Sequence, residues 1–557
     1  MVKISKEAAL NYHEAGRPGK IEVKPTKAYR TQTDLSLAYS PGVAYPCLEI
    51  QQNPDNAYRY TDKGNLVAVI SNGTAVLGLG DIGAMSGKPV MEGKGLLFKI
   101  YGGIDVFDIE VAEKDPEKFC EAVERIAPTF GGINLEDIKA PECFYIEERL
   151  KKSLDIPVMH DDQHGTAIIS AAGLKNALEV NGKDISKVKI VVNGAGAAAI
   201  SCTKLYMAIG AQKENIVMLD SKGVISIDRP DLNEQKKFFA TNRTDIHTLE
   251  EAVRDADVFV GLSKGNVLTK EMVKTMAKDP VIFALANPVP EISYEDAMEA
   301  RPDTLMSTGR TDYPNQINNV IGFPYIFRGA LDVHATAINE EMKLAAVYAI
   351  ADLAKQPVPD VVNDVYKVNN LTFGRDYFIP KPVDPRLITE VSAAVAKAAI
   401  DSGVARRKIE NWDEYKRSLS ILLGQETKLT QKLYTTAAAH PQRVVFAEAI
   451  HPTMLKAAVQ AKAEGICEPI LLGNDEVIQK LADKLDLNID GIEIVNLRHP
   501  SEQERRERYA HILTEKRQRE GYTFQEVIIQ SQPAHIAVFH DLYELAEIGH
   551  FTVVDCF

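Results

Sequence analysis

Val188-Lys-Ile-Val-Val-Asn-Gly-Ala-Gly-Ala-Ala-Ala199 is the stretch that decides the fold. Its first half, 188–192, is a β-branched run that reads as a strand. The run enters the turn Gly194-Ala195-Gly196-Ala197-Ala198, which opens a helix over 200–209. The next strand, 215–220, ends in an acid, Asp220. Strand, glycine turn, helix and terminal acid together make a dinucleotide-binding signal, which a lone G-x-G-x-x-A would not. The glycines permit a tight turn and close backbone approach, and the helix N-terminus favours pyrophosphate charge. A plain tight βα turn is the competing reading.

Downstream the pattern repeats. Runs at 257–261, 281–285 and 304–307 read as strands separated by helical patterns. That alternation predicts an α/β fold with a Rossmann-like, doubly wound parallel sheet. Asn287-Pro-Val-Pro290 and the stretch 308–319 follow two of these strands, at the carboxyl ends where open sheets bind ligands. Asn287, Asn318 and Asn319 suit a nicotinamide amide or a substrate carboxylate, with local Asx-turns as the alternative. Helices at 335–355 and 389–402 close this region, and 403–428 reads as a charged connector. A second α/β beginning follows: strand 443–448, helix 452–464, strand 469–472, helix 475–485. Pattern is lost from about residue 528.

Upstream, 66–70 and 105–111 read as strands, Asp115-Pro116 starts a helix, and 143–153 is another. Three features there carry chemistry. Tyr39, before Ser40-Pro-Gly42, sits where the chain turns, so its hydroxyl is either presented or packed with a partner in the core. Lys94 lies between Gly93 and Gly95 beside apolar runs. Desolvation there would lower its pKa and suit it to act as a base; a solvated turn lysine is the alternative. Two acid pairs follow, Glu136-Asp137 and Asp161-Asp162, the second in Pro157-Val-Met-His-Asp-Asp-Gln-His-Gly-Thr166 ahead of a helix over 166–180. Flanking one sheet, they offer an all-oxygen site to a hard divalent ion; surface acid pairs are the bland reading.

Bulk properties bound the rest. A chain of 557 residues exceeds one ordinary core, so two or more domains are expected. A net charge of −14 argues against a nucleic-acid partner or a membrane surface. The 6 cysteines show no C-x-x-C spacing, which points to a reducing compartment. No signal peptide or run of about 18 apolar residues is present, so a cytoplasmic location is expected.

Taken in order, Ser36-Leu-Ala-Tyr-Ser-Pro-Gly42, Val90-Met-Glu-Gly-Lys-Gly95, Glu136-Asp137, His160-Asp-Asp-Gln-His-Gly-Thr166, Gly194-Ala-Gly196 and Asn318-Asn319 resemble bacterial malic enzyme over about the first 400 residues. The C-terminal part resembles the beginning of a phosphotransacetylase domain, as in the fused malic enzymes. The resemblance implies an N-terminal substrate domain (1–160), a cofactor domain (161–400), a linker (401–428) and a truncated phosphotransacetylase-like domain (429–557) without transferase activity. It implies oxidative decarboxylation of malate to pyruvate and CO₂ by a homo-oligomer, a dimer or higher. A metabolite-sensing protein with a vestigial malic domain is the rival of another class. Lys94 would be the base and Tyr39 the acid. Glu136, Asp137 and Asp162 would bind Mg²⁺ or Mn²⁺, with Asp161 behind them. The turn 194–198 would hold the cofactor together with Asp220, Asn287 and Asn319, and Asn318 would serve the substrate.

Two departures stand out. Ala75 occupies the place where many malic enzymes carry an arginine, leaving the substrate carboxylate to Asn287, Asn319 or a subunit partner. The phosphotransacetylase-like part is short. Cofactor choice rests on the second strand. Asp220 alone favours NAD, whereas Lys222 and Arg229 can neutralise a 2′-phosphate; the resemblance, to a family that uses both cofactors with NADP commoner among its close bacterial forms, implies NADP, with NAD as the alternative.

Overall fold

Leu66–Ser71 (β1) is buried along its whole length, as a strand must be when helices cover both faces of its sheet. With Asp105–Glu110 (β2), Gly132–Leu135 (β3) and Val158–His160 (β4) it forms a parallel sheet in the order β2-β1-β3-β4. Alternate side chains serve opposite faces. Leu66, Ala68 and Ile70 share a core with Phe119, Val123, Ile146 and Leu150 of the helices Pro116–Ile126 and Glu142–Ser153. Val67 and Val69 belong to a second core with Met91 and Phe98 of the helix Ala84–Gly102 and Phe327 of the helix Phe323–Asp332. Asp115 caps the first of these helices by accepting from the amides of Glu117 and Lys118.

This is a computed structural model. It describes residues 5–525 and Thr552–Val554, apart from 77, 288, 311–312, 369–370, 425–432, 434–435, 464, 486, 497 and 522.

The second sheet comprises Ile190–Asn193 (β5), Ile216–Asp220 (β6), Gly223–Val224 (β7), Val258–Gly261 (β8), Val281–Ala284 (β9) and Leu305–Thr308 (β10). Its order is β10-β9-β8-β5-β6-β7, parallel except for β6–β7. Strand order reverses at β5, between β8 and β6, the switch point where such sheets bind ligands. Ile190, Val192, Val260 and Phe283 line one face; Val191, Phe259 and Ile282 line the other.

The helix Asp161–Val180 leaves β4 and packs Ile168, Ile169, Ala171 and Leu174 into the same core as Met91, Phe98, Val192 and Phe283. It thereby joins the two sheets. It starts five residues before the expected 166, so both aspartates lie in its first turn. Residues 403–428 are not a bare connector. They include the helix Trp412–Leu422, whose Leu419 is buried, while the Tyr415 hydroxyl donates to Asp332 at 2.7 Å. Residues 1–355 and 373–425 accordingly form one compact unit.

The other unit takes in 356–372 and 426–557. Its sheet is Gln442–Phe446 (β11), Cys467–Leu472 (β12), Glu493–Val495 (β13) and Thr552–Val554 (β14), parallel in the order β13-β12-β11-β14. Helices Pro452–Ala463 and Asp475–Lys484 fall where the sequence places them. Apart from β14, the segment from residue 528 lies outside the described residues. Among the described residues no helix is long and apolar enough to cross a membrane.

Candidate active site and metal centre

Strand register brings the two acid pairs together. Leu135 of β3 pairs with His160 of β4, so Glu136-Asp137 and Asp161-Asp162 leave neighbouring parallel strands side by side at their carboxyl ends. Asp137 has φ 53°, a left-handed conformation that Asp tolerates better than most residues. Its amide donates to Asp162 Oδ2 at 2.9 Å and its carbonyl accepts from the Ala75 amide at 3.0 Å. Glu136, Asp137 and Asp162 each place an oxygen within 4.8 Å of the others.

Lys94 comes from the middle of the helix Ala84–Gly102, three residues from Met91 and four from Phe98, so all three lie on its buried face. Gly95 allows a close approach there, since an added Cβ would lie 3.2 Å from Val106 Cγ1 on β2. Lys94 Nζ lies 2.6 Å from Asp161 Oδ2 and 2.8 Å from Glu136 Oε1. Phe323 lies beneath the ammonium, 4.2 Å from Nζ to the ring centre. Asn319 donates to Asp161 Oδ2 at 3.2 Å and accepts from the Thr166 hydroxyl at 3.1 Å.

The electrostatics correct one expectation. Burial alone would lower the Lys94 pKa, but Asp161 and Glu136 outweigh it and hold the ammonium above its ordinary value. Glu136 moves up, driven first by burial and then by Asp162, Asp161 and Asp137, with Lys94 opposing. Asp161 also moves up, through burial. Asp161, Glu136 and Asp162 thus bear on the Lys94 ammonium with Asp137 beside them, and Asp161 Oδ1 is buried without a hydrogen-bond partner. Such a donor set, all oxygen and over-supplied with negative charge, fits a hard divalent cation.

Tyr39 is not brought into this cluster. It caps the helix Gln32–Ala38 with its side chain 78% exposed, so neither the packed-core reading nor a contact to Lys94 within one chain holds.

At the glycine turn, Gly194 has φ +133° and an added Cβ would collide with the Leu262 carbonyl, so only glycine fits. Gly196 precedes the helix Ala197–Ala208, whose first turn has no side-chain cap and keeps amides for an anion. Asp220, at the end of β6, is already engaged. Arg229 binds its two oxygens at 2.8 and 3.1 Å, and Lys236 binds Oδ2 at 2.8 Å. Burial would raise the Asp220 pKa, but these partners hold it at about 2. Lys222 and Arg229 also share Asp231, at 2.7 and 3.0 Å. Lys236 was not singled out by the sequence, because it lies in the helix Glu234–Phe238 well past the strand it serves. Asn287 is exposed beside Gly309, beyond the end of β9. Asn318 Oδ1 accepts from the Val320 amide at 3.0 Å, the Asx-turn geometry that the sequence also offered.

Family models agree with this layout. Malic enzyme, N-terminal domain matches residues 18–151, Malic enzyme, NAD binding domain matches 163–373, and Phosphate acetyl/butaryl transferase matches 428–539. An NADP-dependent malic enzyme of Salmonella typhimurium is 57% identical over 495 residues, 88% of this chain and 65% of that protein. The chain thus spans just under two thirds of that relative's length. A Halomonas elongata NADP-dependent malic enzyme is 58% identical over 407 residues, covering 73% of this chain and 96% of the relative. The crystal structure of a malic enzyme from Pyrococcus horikoshii superposes with a TM-score of 0.68 at 43% identity, over 75% of this chain and 96% of the other. Sheet order, carboxylate cluster and these matches agree, and the chain belongs to the malic enzyme family.

Proposed function

We propose that this chain catalyses the divalent-metal-dependent oxidative decarboxylation of malate to pyruvate and CO₂ with reduction of NADP. The observation that carries this reading is Lys94, held between Asp161 and Glu136 at the edge of a three-carboxylate cluster. A base, an acceptor for a divalent ion and a dinucleotide turn on the adjoining sheet are the parts that oxidation of a 2-hydroxy acid requires.

A bound Mg²⁺ or Mn²⁺ would supply Lewis acidity to the malate hydroxyl and stabilise the charge released when CO₂ departs. Glu136, Asp137 and Asp162 would hold it. Lys94 takes the C2 hydroxyl proton as hydride leaves for the nicotinamide. A divalent ion held by Glu136, Asp137 and Asp162 would offset part of the negative charge that supports the Lys94 ammonium, favouring the neutral amine that a base requires. Asp161 and Phe323 keep Lys94 in place. Tyr39 returns a proton to C3 of the enol, so the proton removed at oxygen is replaced at carbon.

Tyr39 reaches a site only if a second copy supplies it. Leu35, Leu37, Tyr39, Tyr45 and Leu48 are all exposed on the N-terminal segment, an apolar surface that suits self-association. We therefore read the active form as a homo-oligomer whose sites are shared between copies. NADP rather than NAD is supported by Arg229 and Lys236, which neutralise Asp220 and leave cationic surface for a 2′-phosphate. A cytoplasmic location fits the free cysteines among the described residues.

The test is a product assay with malate, NADP and Mn²⁺. Pyruvate and reduced NADP in equal amounts, lost on chelation, are expected. Accumulation of oxaloacetate in place of pyruvate, or no turnover with either nicotinamide cofactor, would overturn the reading.

A further inference from the structure

Behind the carboxylate cluster lies an acid that the reaction itself does not use. Glu147 projects from the helix Glu142–Ser153 and is almost fully buried. Its carboxylate accepts the His160 amide at 3.1 Å and lies 3.0 Å from His164 Nε2. Lys151, one turn on, stands 2.7 Å away. His160 and His164 bracket Asp161 and Asp162, so one carboxylate grips both flanks of the turn that carries them.

The placement follows from topology. Among the described residues β4 is an edge strand of its sheet, and Glu147 accepts an N–H that no further strand there takes. On the other side of the imidazole, Lys343 Nζ lies 3.4 Å from His164 Nδ1 and is itself paired with Glu340. A lysine can only donate, so Nδ1 accepts and Nε2–H points to Glu147. Burial opposes charge on Glu147, but the His160 amide, the His164 N–H and the Lys151 ammonium around it all favour a carboxylate that accepts.

We propose that Glu147 is a positioning residue for the metal site: by holding the His160 amide and the His164 ring it sets the direction in which Asp162 meets Asp137 and Asp161 meets Lys94. The proposal rests on the metal reading above. Partners that orient metal-binding side chains typically change metal affinity by about 10–100-fold when removed.

The experiment measures free Mn²⁺ by electron paramagnetic resonance with the full chain, as wild type, Glu147→Gln and Glu147→Ala. NADP affinity and the malate kcat and KM are measured alongside, and folding is checked by circular dichroism. The expected result is Mn²⁺ affinity weakened about tenfold or more, malate KM raised, and NADP affinity unchanged, with Glu147→Gln intermediate. A cavity of about 310 Å³ lined by Glu147, Gln163, His164 and Lys343 has room for formate, which should restore part of the Mn²⁺ affinity of Glu147→Ala. Wild-type Mn²⁺ affinity in a folded Glu147→Ala overturns the proposal. So does a loss that formate does not restore and that NADP affinity follows in parallel. If Glu147→Ala does not fold, Glu147→Gln decides on the same Mn²⁺ and NADP criteria. A wild-type chain that binds no Mn²⁺ overturns the metal reading and this proposal together, whereas equal binding by wild type and variants overturns this proposal alone.

Discussion

Lys94 sits between two carboxylates that hold its ammonium charge, and its proposed part as the base can be tested directly. Lys94→Ala should lower malate oxidation by about 10²–10⁴-fold while NADP binding, followed by quenching of protein fluorescence, stays at the wild-type level. Unchanged turnover in that variant would remove Lys94 from the chemistry. Asp220 makes a second residue-level case. Arg229 and Lys236 compensate its charge, so replacing both by Ala should raise the NADP KM by about tenfold or more, on the scale of a lost charged hydrogen bond, and leave the NAD KM nearly unchanged. Equal effects on both cofactors would show that the pair serves only the fold. The pH dependence has a defined sign. Asp220 has a depressed folded pKa, so its stabilisation is complete above its unfolded value near 4 and is lost as pH falls through about 2. Cofactor preference should therefore hold across the neutral range, as measured by NADP and NAD turnover ratios. Residue identities were legible in the sequence where chemistry is local, as with the acid pairs and the lysine. The charge state of Lys94 was not, because it depends on Asp161 and Glu136, which are 67 and 42 positions away along the chain by their numbers.

Elements converted these residues into a site. The Leu135–His160 register places the acid pairs together, which spacing alone cannot reveal, since any two strands of a parallel sheet can be neighbours. The helix Asp161–Val180 shows why one boundary was misread. At Gly165 an added Cβ would collide with Asp161 and approach Asn319, so the glycine serves close packing inside a helix that has already begun at Asp161. Lys94 was obscured in the same way: its flanking glycines suggested a turn, whereas Gly95 lets a helix approach β2. The βα turn after β5 was legible because strand, glycines and helix are contiguous. Gly194→Ala should weaken NADP binding sharply, because the left-handed φ and the Leu262 carbonyl both exclude a side chain. The same titration checks it, with Mn²⁺ affinity expected to be unaffected.

For the whole molecule, the first 355 residues with 373–425 fold around a core that both sheets share. Sequence patterning gave the alternation of strands and helices but placed 403–428 outside the core, because a charged helix such as Trp412–Leu422 shows its single buried leucine and its Tyr415–Asp332 bond only in three dimensions. Tyr39 belongs to this scale too. If each site borrows it from another copy, mixing Tyr39→Phe chains with Lys94→Ala chains should yield activity that neither has alone, once the copies have exchanged. No activity in mixtures shown by light scattering to have exchanged would exclude sharing. Presence of a divalent ion among Glu136, Asp137 and Asp162 is tested most directly by an anomalous difference map from crystals soaked in Mn²⁺. One strong peak between these three carboxylates and beside Lys94 is the expected result; a map whose peaks all lie elsewhere would contradict it.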